Sequence, residues 1–145
     1  MYQHILLPTD GSSLSEMAVR QCMKFARESG ARVTAYYAMP EFQVLTYKPD
    51  MLSDSRDAFD QHNQTQAQRV LKFVTDNAAL EGVRCNTITT TTSQPWEDIL
   101  QVANEQACDL VFMASHGRSG VSGILLGSET QKVLTHGKIP VLVQR

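Results

Sequence analysis

Cysteines, excess basic charge and long apolar runs are all scarce in this chain of 145 residues, and each shortage excludes a class of protein. The cysteines Cys22, Cys85 and Cys108 are far apart and show no CxxC spacing, so we expect reduced, packed thiols without a redox or metal role. A formal net charge of −2 argues against a general surface for nucleic acid or anionic membranes. No apolar run approaches the ~20 residues that cross a bilayer.

The amino-terminal residues also lack a targeting signal. Met1-Tyr2-Gln3-His4 has neither the basic region nor the apolar core of a signal peptide, so we expect a cytoplasmic protein. The histidines are scattered and show no metal-ligand spacing, so we predict no metal ligands among the side chains. The length suits one domain, and we predict a single domain over residues 1–145.

Strand and helix patterns alternate along the whole chain. Short apolar or β-prone runs predict strands at residues 4–8, 33–39, 83–91, 110–114 and 141–143, and apolar residues at helical spacing predict helices between them. Residues 41–65 show no sustained period, and the second helix is expected to begin near Ala67. The alternation predicts an α/β fold, an open five-stranded parallel sheet of order 3-2-1-4-5 with helices on both faces. The threonine-rich third strand and the last strand would lie at its edges.

In a sheet of this order, ligands bind outside the carboxyl ends of strands 1 and 4, where the strand order reverses. The segments that end these strands are Pro8-Thr9-Asp10 and Met113-Ala114-Ser115. The following loop, residues 115–127, is rich in glycine, and a capping box of Ser128 and Gln131 predicts the start of a helix behind it. Backbone N–H groups and the positive end of that helix predict an anion site, most often for phosphate. Arg118 could add a charged clamp.

Several polar residues near this predicted site leave alternatives open. Asp10 is either a ligand-binding residue or a cap for the first helix. The sequence does not identify a partner for His116, which we expect to be a solvated loop histidine. Ser12, Ser115 and Ser128 have no positioned base, so we predict no nucleophile triad and no catalytic residue.

Three motifs carry a resemblance to a known family. Ala114-Ser115-His116-Gly117, nine residues and then Gly127-Ser128 resemble G-x-x-G, nine residues, G-S/T, the ATP-binding motif of universal stress proteins. The opening residues 5–12 and the ending residues 138–143 are similar to that family's first and last strands. The resemblance spans the whole chain, is weakest at 41–65, and implies an adenine nucleotide alpha hydrolase-like fold.

The resemblance also implies an ATP site and roles for individual residues. Asp10 would face the adenosine, Pro8 and Thr9 would shape the pocket, and the backbone of Ala38 would meet the adenine. Met113 would lie beneath the nucleotide. The residues expected around the phosphates, which Mg²⁺ or Mn²⁺ could bridge, are Gly117, Arg118, Gly127, Ser128 and Glu129. The first glycine of the family motif is Ala114 here, and its methyl group would narrow the pocket.

These expectations favour a binding protein in stress response or signalling, in which ATP or a related adenine nucleotide sets conformation or partner choice. Hydrolysis would be slow at most, because no general base is identified. One alternative is a nucleotide-free stress factor, favoured only by Ala114. Another is an ATP-using enzyme of related fold, although the turn at residues 10–13 lacks the signatures of such enzymes. FMN binding of the flavodoxin type also stays open, because residues 9–13 form a hydroxyl-rich turn.

The last predicted strand indicates how the chain associates. As a sheet edge, Val141-Leu142-Val143 would expose unpaired backbone groups and apolar side chains that a second copy could cover. The family resemblance points the same way. We therefore predict a homodimer through this strand.

Overall fold

The computed structural model describes residues 1–42, 49–117 and 126–145, and it confirms the predicted fold class. Strands and helices alternate along the chain. The strands are β1 (His4–Pro8), β2 (Arg32–Met39), β3 (Cys85–Thr91), β4 (Leu110–Ala114) and β5 (Val141–Gln144). The helices are α1 (Ser13–Ser29), α2 (Pro49–Glu81), α3 (Pro95–Glu105) and α4 (Ser128–His136).

The sheet has the predicted order, β3-β2-β1-β4-β5, with every neighbouring pair parallel. β1 and β4 are buried along their whole length, because helices cover both faces of a parallel sheet. β3 lies at one edge and alternates between half-buried and exposed residues, as its threonine-rich composition predicts. β5 forms the other edge.

Successive residues of the central strands belong in turn to two core clusters, one on each face of the sheet. Ile5, Leu7 and Phe112 belong to the cluster on the face covered by α1 and the carboxyl half of α2. Leu6 and Val111 belong to the cluster on the face covered by α3 and α4. This alternation follows from the two-residue period of a strand. It determines which strand residues face α3 and α4.

The start of α2 differs from the prediction. The helix begins at Pro49, well before Ala67, because residues 56–65 are mostly exposed and therefore need no continuous apolar stripe. Asn63 Nδ2 donates to the Pro40 carbonyl at 3.1 Å, and the rings of Phe42 and Phe59 meet edge to face at 5.3 Å between centroids. These contacts tie this part of α2 to the chain that leaves β2.

The cysteines are free thiols, as predicted. Cys22 is buried, and Cys85 and Cys108 are half-buried. Burial raises the pKa of each thiol, to about 11 for Cys108. Within the described ranges, none of the helices combines the length and apolar character needed to span a membrane.

Candidate functional site

A cavity of about 540 Å³ opens at the carboxyl ends of β1 and β4, at the reversal of strand order where the sequence predicts a site. All the predicted binding residues that the structure describes line this cavity. They are Pro8, Thr9, Asp10, Ala38, Met113, Gly117, Gly127, Ser128 and Glu129. Arg118 lies outside the described residues.

The turn between β1 and α1 fixes Asp10 at the floor of the cavity. The Ser12 N–H donates to Asp10 Oδ1 at 2.9 Å, and the Asp10 N–H donates to the Ser15 hydroxyl at 3.2 Å. The N-cap of α1 is Ser12, whose side chain accepts from the Ser15 N–H. Asp10 therefore supports the cap residue and is not itself the cap of α1.

The Asp10 carboxylate also approaches the loop that follows β4. A Cβ atom on Gly117 would lie only 2.5 Å from Asp10 Oδ2, so any other residue at this position would displace the Asp10 carboxylate. The close approach of the two loops, and not an unusual backbone angle, therefore favours glycine at position 117. The contact brings the ends of β1 and β4 together at one point of the cavity.

The start of α4 supplies the features of an anion site. The Gly127 N–H donates to the Ser115 carbonyl at 2.6 Å, and the Gln131 N–H donates to the Gly127 carbonyl at 3.0 Å. These bonds hold the first turn of α4 against the end of β4, and residues 128–130 line the cavity. The N–H groups in the first turn of a helix have no acceptor within the helix, and they combine with the positive end of its dipole to attract anions.

The predicted capping box at this helix start is wrong. The N-cap is Gly127, and it provides no side-chain hydrogen bond. Gln131 instead donates from Nε2 to the Leu126 carbonyl at 3.3 Å. The first turn of α4 is therefore held by the backbone of the preceding loop.

Glu129 joins the first turns of α4 and α3. Its Oε2 accepts from the Trp96 N–H at 2.9 Å, and Lys132 Nζ lies 3.8 Å from its Oε1. The Trp96 ring stacks on His136 at the other end of α4, with 4.6 Å between ring centroids. Contacts near both ends of α4 thus fix it against α3.

The opposite side of the cavity is apolar. Tyr36, Ile99 and Met113 line it and belong to the core cluster beneath α3 and α4. The Tyr36 hydroxyl forms a short hydrogen bond with Thr90 Oγ1, and burial raises the pKa of Tyr36 to about 12. Because the phenol stays neutral, this side suits an uncharged ring, whereas the α4 side suits an anionic group.

His116 is not the solvated loop residue that the sequence suggests. It is half-buried and lines the cavity, and its Nδ1 lies 3.0 Å from the Ser115 hydroxyl oxygen. Ser115 therefore does have a base beside it, contrary to the sequence-based expectation. Ser115 is only 3% exposed as a residue, so its contact with His116 orients the imidazole and does not present a nucleophile to solvent.

The charges around the cavity are unevenly distributed. Among the described lining residues, Asp10 and Glu129 are the acidic ones, and none is lysine or arginine. Over those parts of the chain, no cluster of three or more histidine, cysteine, aspartate or glutamate side chains is arranged to hold a metal ion.

Several lining residues were not predicted from the sequence. They are Ser15, Tyr36, Pro95, Ile99, His116, Leu126, Thr130 and Gln131. Tyr36 could have been found, because it lies two residues before Ala38 on the same strand and strand side chains alternate between faces. Pro95 and Ile99 could not, because the packing of α3 beside the cavity depends on tertiary structure.

Comparison with known proteins gives a match over the whole chain. The sequence profile of the universal stress protein family matches residues 1–145. Universal stress protein MJ0531 of Methanocaldococcus jannaschii is 30% identical over 143 residues, which cover 99% of this chain and 82% of that protein. The universal stress protein in the QAH/OAS sulfhydrylase 3′ region of Thermus aquaticus is 30% identical over 145 residues, which cover 100% of both chains.

Solved structures share the fold. The structure of the hypothetical protein MJ0577 superposes with a TM-score of 0.84 at 25% identity, covering 99% of this chain and 96% of that one. A universal stress protein in complex with cAMP has a TM-score of 0.73 at 24% identity, over 99% and 97% of the two chains. One from Archaeoglobus fulgidus in complex with dAMP has a TM-score of 0.71 at 18% identity, over 99% and 98%. One from Arabidopsis thaliana with AMP bound has a TM-score of 0.69 at 15% identity, over 97% and 90%.

Proposed function

The chain belongs to the universal stress protein family and has an adenine nucleotide alpha hydrolase-like fold, and we propose that it binds ATP or a related adenine nucleotide in stress response or signalling. The observation that carries this proposal is the two-sided cavity at the reversal of strand order. An uncharged ring fits its apolar side, and the first turn of α4 attracts an anion on the other. The AMP, dAMP and cAMP bound by proteins of the same fold support this ligand class.

Each end of the cavity has a role in this proposal. Asp10 faces the adenosine, Pro8 and Thr9 shape its pocket, and the Ala38 backbone meets the adenine. Met113 lies beneath the nucleotide. Gly117, Gly127, Ser128 and the Glu129 backbone hold the phosphates, together with Arg118, and Mg²⁺ or Mn²⁺ could bridge those phosphates.

The proposed activity is binding, and any hydrolysis would be slow. His116 lines the cavity in the loop after β4, and its Nδ1 lies 3.0 Å from the Ser115 hydroxyl oxygen. A general base must lie within hydrogen-bond reach of the attacking water, and the proposal assigns this role to no residue. In this proposal, the bound nucleotide acts by setting the conformation of the protein or its choice of partner.

The direct test is to identify the small molecules released when the purified protein is denatured. Mass spectrometry should detect an adenine nucleotide in amounts comparable to the protein, and calorimetric titration of the emptied protein should give saturable binding. FMN in the extract would support the flavin alternative. Failure to bind ATP, ADP or AMP would favour a nucleotide-free stress factor and would refute the proposal.

We also propose that two copies associate through β5. This strand lies at the sheet edge opposite β3, and Val141, Leu142 and Val143 are only half-buried. Val141→Lys should give monomers in size-exclusion chromatography with light scattering, because it would place a charge in the interface. Thr89→Lys, at an exposed position of β3, is the matched control and should leave the dimer intact. A dimer that persists in Val141→Lys would exclude this interface.

A further inference from the structure

We infer that Glu129 limits the number of phosphate groups that the site accepts, because its carboxylate opposes each added negative charge at the amino end of α4. The inference rests on the proposed function, since it concerns the charge of the nucleotide bound in the cavity. It makes Glu129 a specificity-determining residue, whose backbone and side chain act in opposite directions.

The opposition follows from the position of Glu129. Its backbone lies in the first turn of α4, where N–H groups and the helix dipole attract an anion. Glu129 is also a lining residue of the same cavity, and its carboxylate accepts from the backbone N–H of Trp96, the neighbour of the lining residue Pro95. A negative charge at this position would repel that anion.

The Glu129 carboxylate cannot easily move away from an incoming phosphate. Pro95 begins α3 and has no N–H group, so Trp96 provides the first backbone donor of that helix. Gln94 provides no side-chain cap, and the Glu129 carboxylate accepts from the Trp96 N–H instead. Moving the carboxylate would break this bond. Glu129 is therefore a fixed charge whose position is set by α3.

The repulsion should be moderate in size. The Glu129 side chain is 38% exposed, and Lys132 is its partner at 3.8 Å, so water and the lysine screen part of the charge. An interaction of this kind should change the affinity for a singly phosphorylated nucleotide by about twofold and for a triphosphate by roughly five- to tenfold. The effect should therefore increase along the series adenosine, AMP and ATP.

Glu129→Gln tests the inference, because an amide oxygen can still accept from the Trp96 N–H while the charge is removed. Calorimetric titration with adenosine, AMP and ATP at low salt and in the presence of EDTA gives the three dissociation constants. We expect little change for adenosine, a small gain for AMP and the largest gain for ATP. The gain should shrink at ~1 M salt, where the screening length falls to about 3 Å. Glu97→Gln is the control, because Glu97 is an exposed acidic residue in the first turn of α3.

The outcomes separate this inference from the proposed function. If the parent and Glu129→Gln both bind nucleotide with the same ratio of ATP affinity to AMP affinity, the inference is wrong and the proposed function stands. An equal gain for all three ligands, or the same gain in Glu97→Gln, would mean that the local charge of Glu129 does not select the ligand. If neither protein binds any of the three ligands, the proposed function and the inference both fail.

Discussion

Acid should destabilise this protein through His4, the first residue of β1, at the end of the sheet opposite the cavity. His4 is only 4% exposed, and its Nε2 lies 2.7 Å from Thr34 Oγ1. Its Nδ1 has no hydrogen-bond partner among the described residues. Burial, and then the positive charge of Arg32, lower the pKa of His4, while the Gln106 carbonyl and Asp109 oppose this shift without reversing it.

The direction and size of the effect follow from proton linkage. In the unfolded chain the imidazole titrates near its ordinary pKa of about 6.5, whereas the folded protein keeps it neutral to a lower pH. The free energy of unfolding is therefore highest above the pKa of the imidazole in the unfolded chain, and it declines as the pH falls below that pKa. Between pH ~7.5 and ~5.5, one such group lowers the free energy of unfolding by up to about 1.4 kcal/mol.

Urea unfolding at these two pH values measures the effect. His4→Gln should remove most of this pH-dependent loss, because glutamine keeps a side chain that can bond Thr34 but does not titrate. His62→Gln, at an exposed position of α2, is the control and should behave like the parent. If the parent and His4→Gln lose equal free energy between the two pH values, the account of His4 is wrong.

Three substitutions test the loops around the cavity. Gly117→Ala should displace the Asp10 carboxylate, which would lie 2.5 Å from the new Cβ. We expect calorimetry to show nucleotide binding that is at least about tenfold weaker. An unchanged affinity would contradict the proposed role of Asp10. Gly127→Val should abolish nucleotide binding in the same assay. The valine Cβ would lie 3.3 Å from the Ser115 carbonyl oxygen, and its methyl groups would occupy the space proposed for the phosphates. Binding equal to that of the parent would exclude this loop as the phosphate site. Ala114→Gly should lower thermal stability by roughly 0.5–1 kcal/mol, because glycine loses more conformational freedom on folding than alanine does. If the Ala114 methyl narrows the pocket, its removal should strengthen ATP binding, and equal ATP affinity in the two proteins would refute that expectation.

The sheet and the position of the cavity could be predicted because their sequence signals are local. A run such as Leu110–Ala114 identifies a strand buried on both faces, and the alternation of strands with helices restricts the strand order. The start of α2 could not be predicted, because a mostly exposed helix carries no apolar stripe. The start of α4 was placed correctly, although a backbone contact from Gly127 holds it where a side-chain cap was expected.

The remaining features of the site depend on contacts between distant parts of the chain. Glu129 was placed near the phosphates by its position in a motif, but its bond to Trp96 joins residues 33 positions apart and depends on how α3 packs against α4. The close approach of Asp10 to Gly117 likewise depends on the lateral distance between β1 and β4. Sequence spacing predicts which residues reach one end of a sheet, but it does not predict which of them touch.

The packing of α4 on α3 gives the protein a built-in optical probe. Trp96 is the single tryptophan of the chain, so the intrinsic fluorescence excited at the indole band comes from one known place. Its ring stacks on His136, and its indole N–H donates to Gln94. Its backbone N–H donates to the Glu129 carboxylate, and its neighbour Pro95 lines the cavity. A ligand that shifts the first turn of α4 must therefore change the surroundings of this indole. Emission from the unlabelled protein should report occupancy in real time, which makes stopped-flow measurement of ligand entry and release possible without a modified nucleotide.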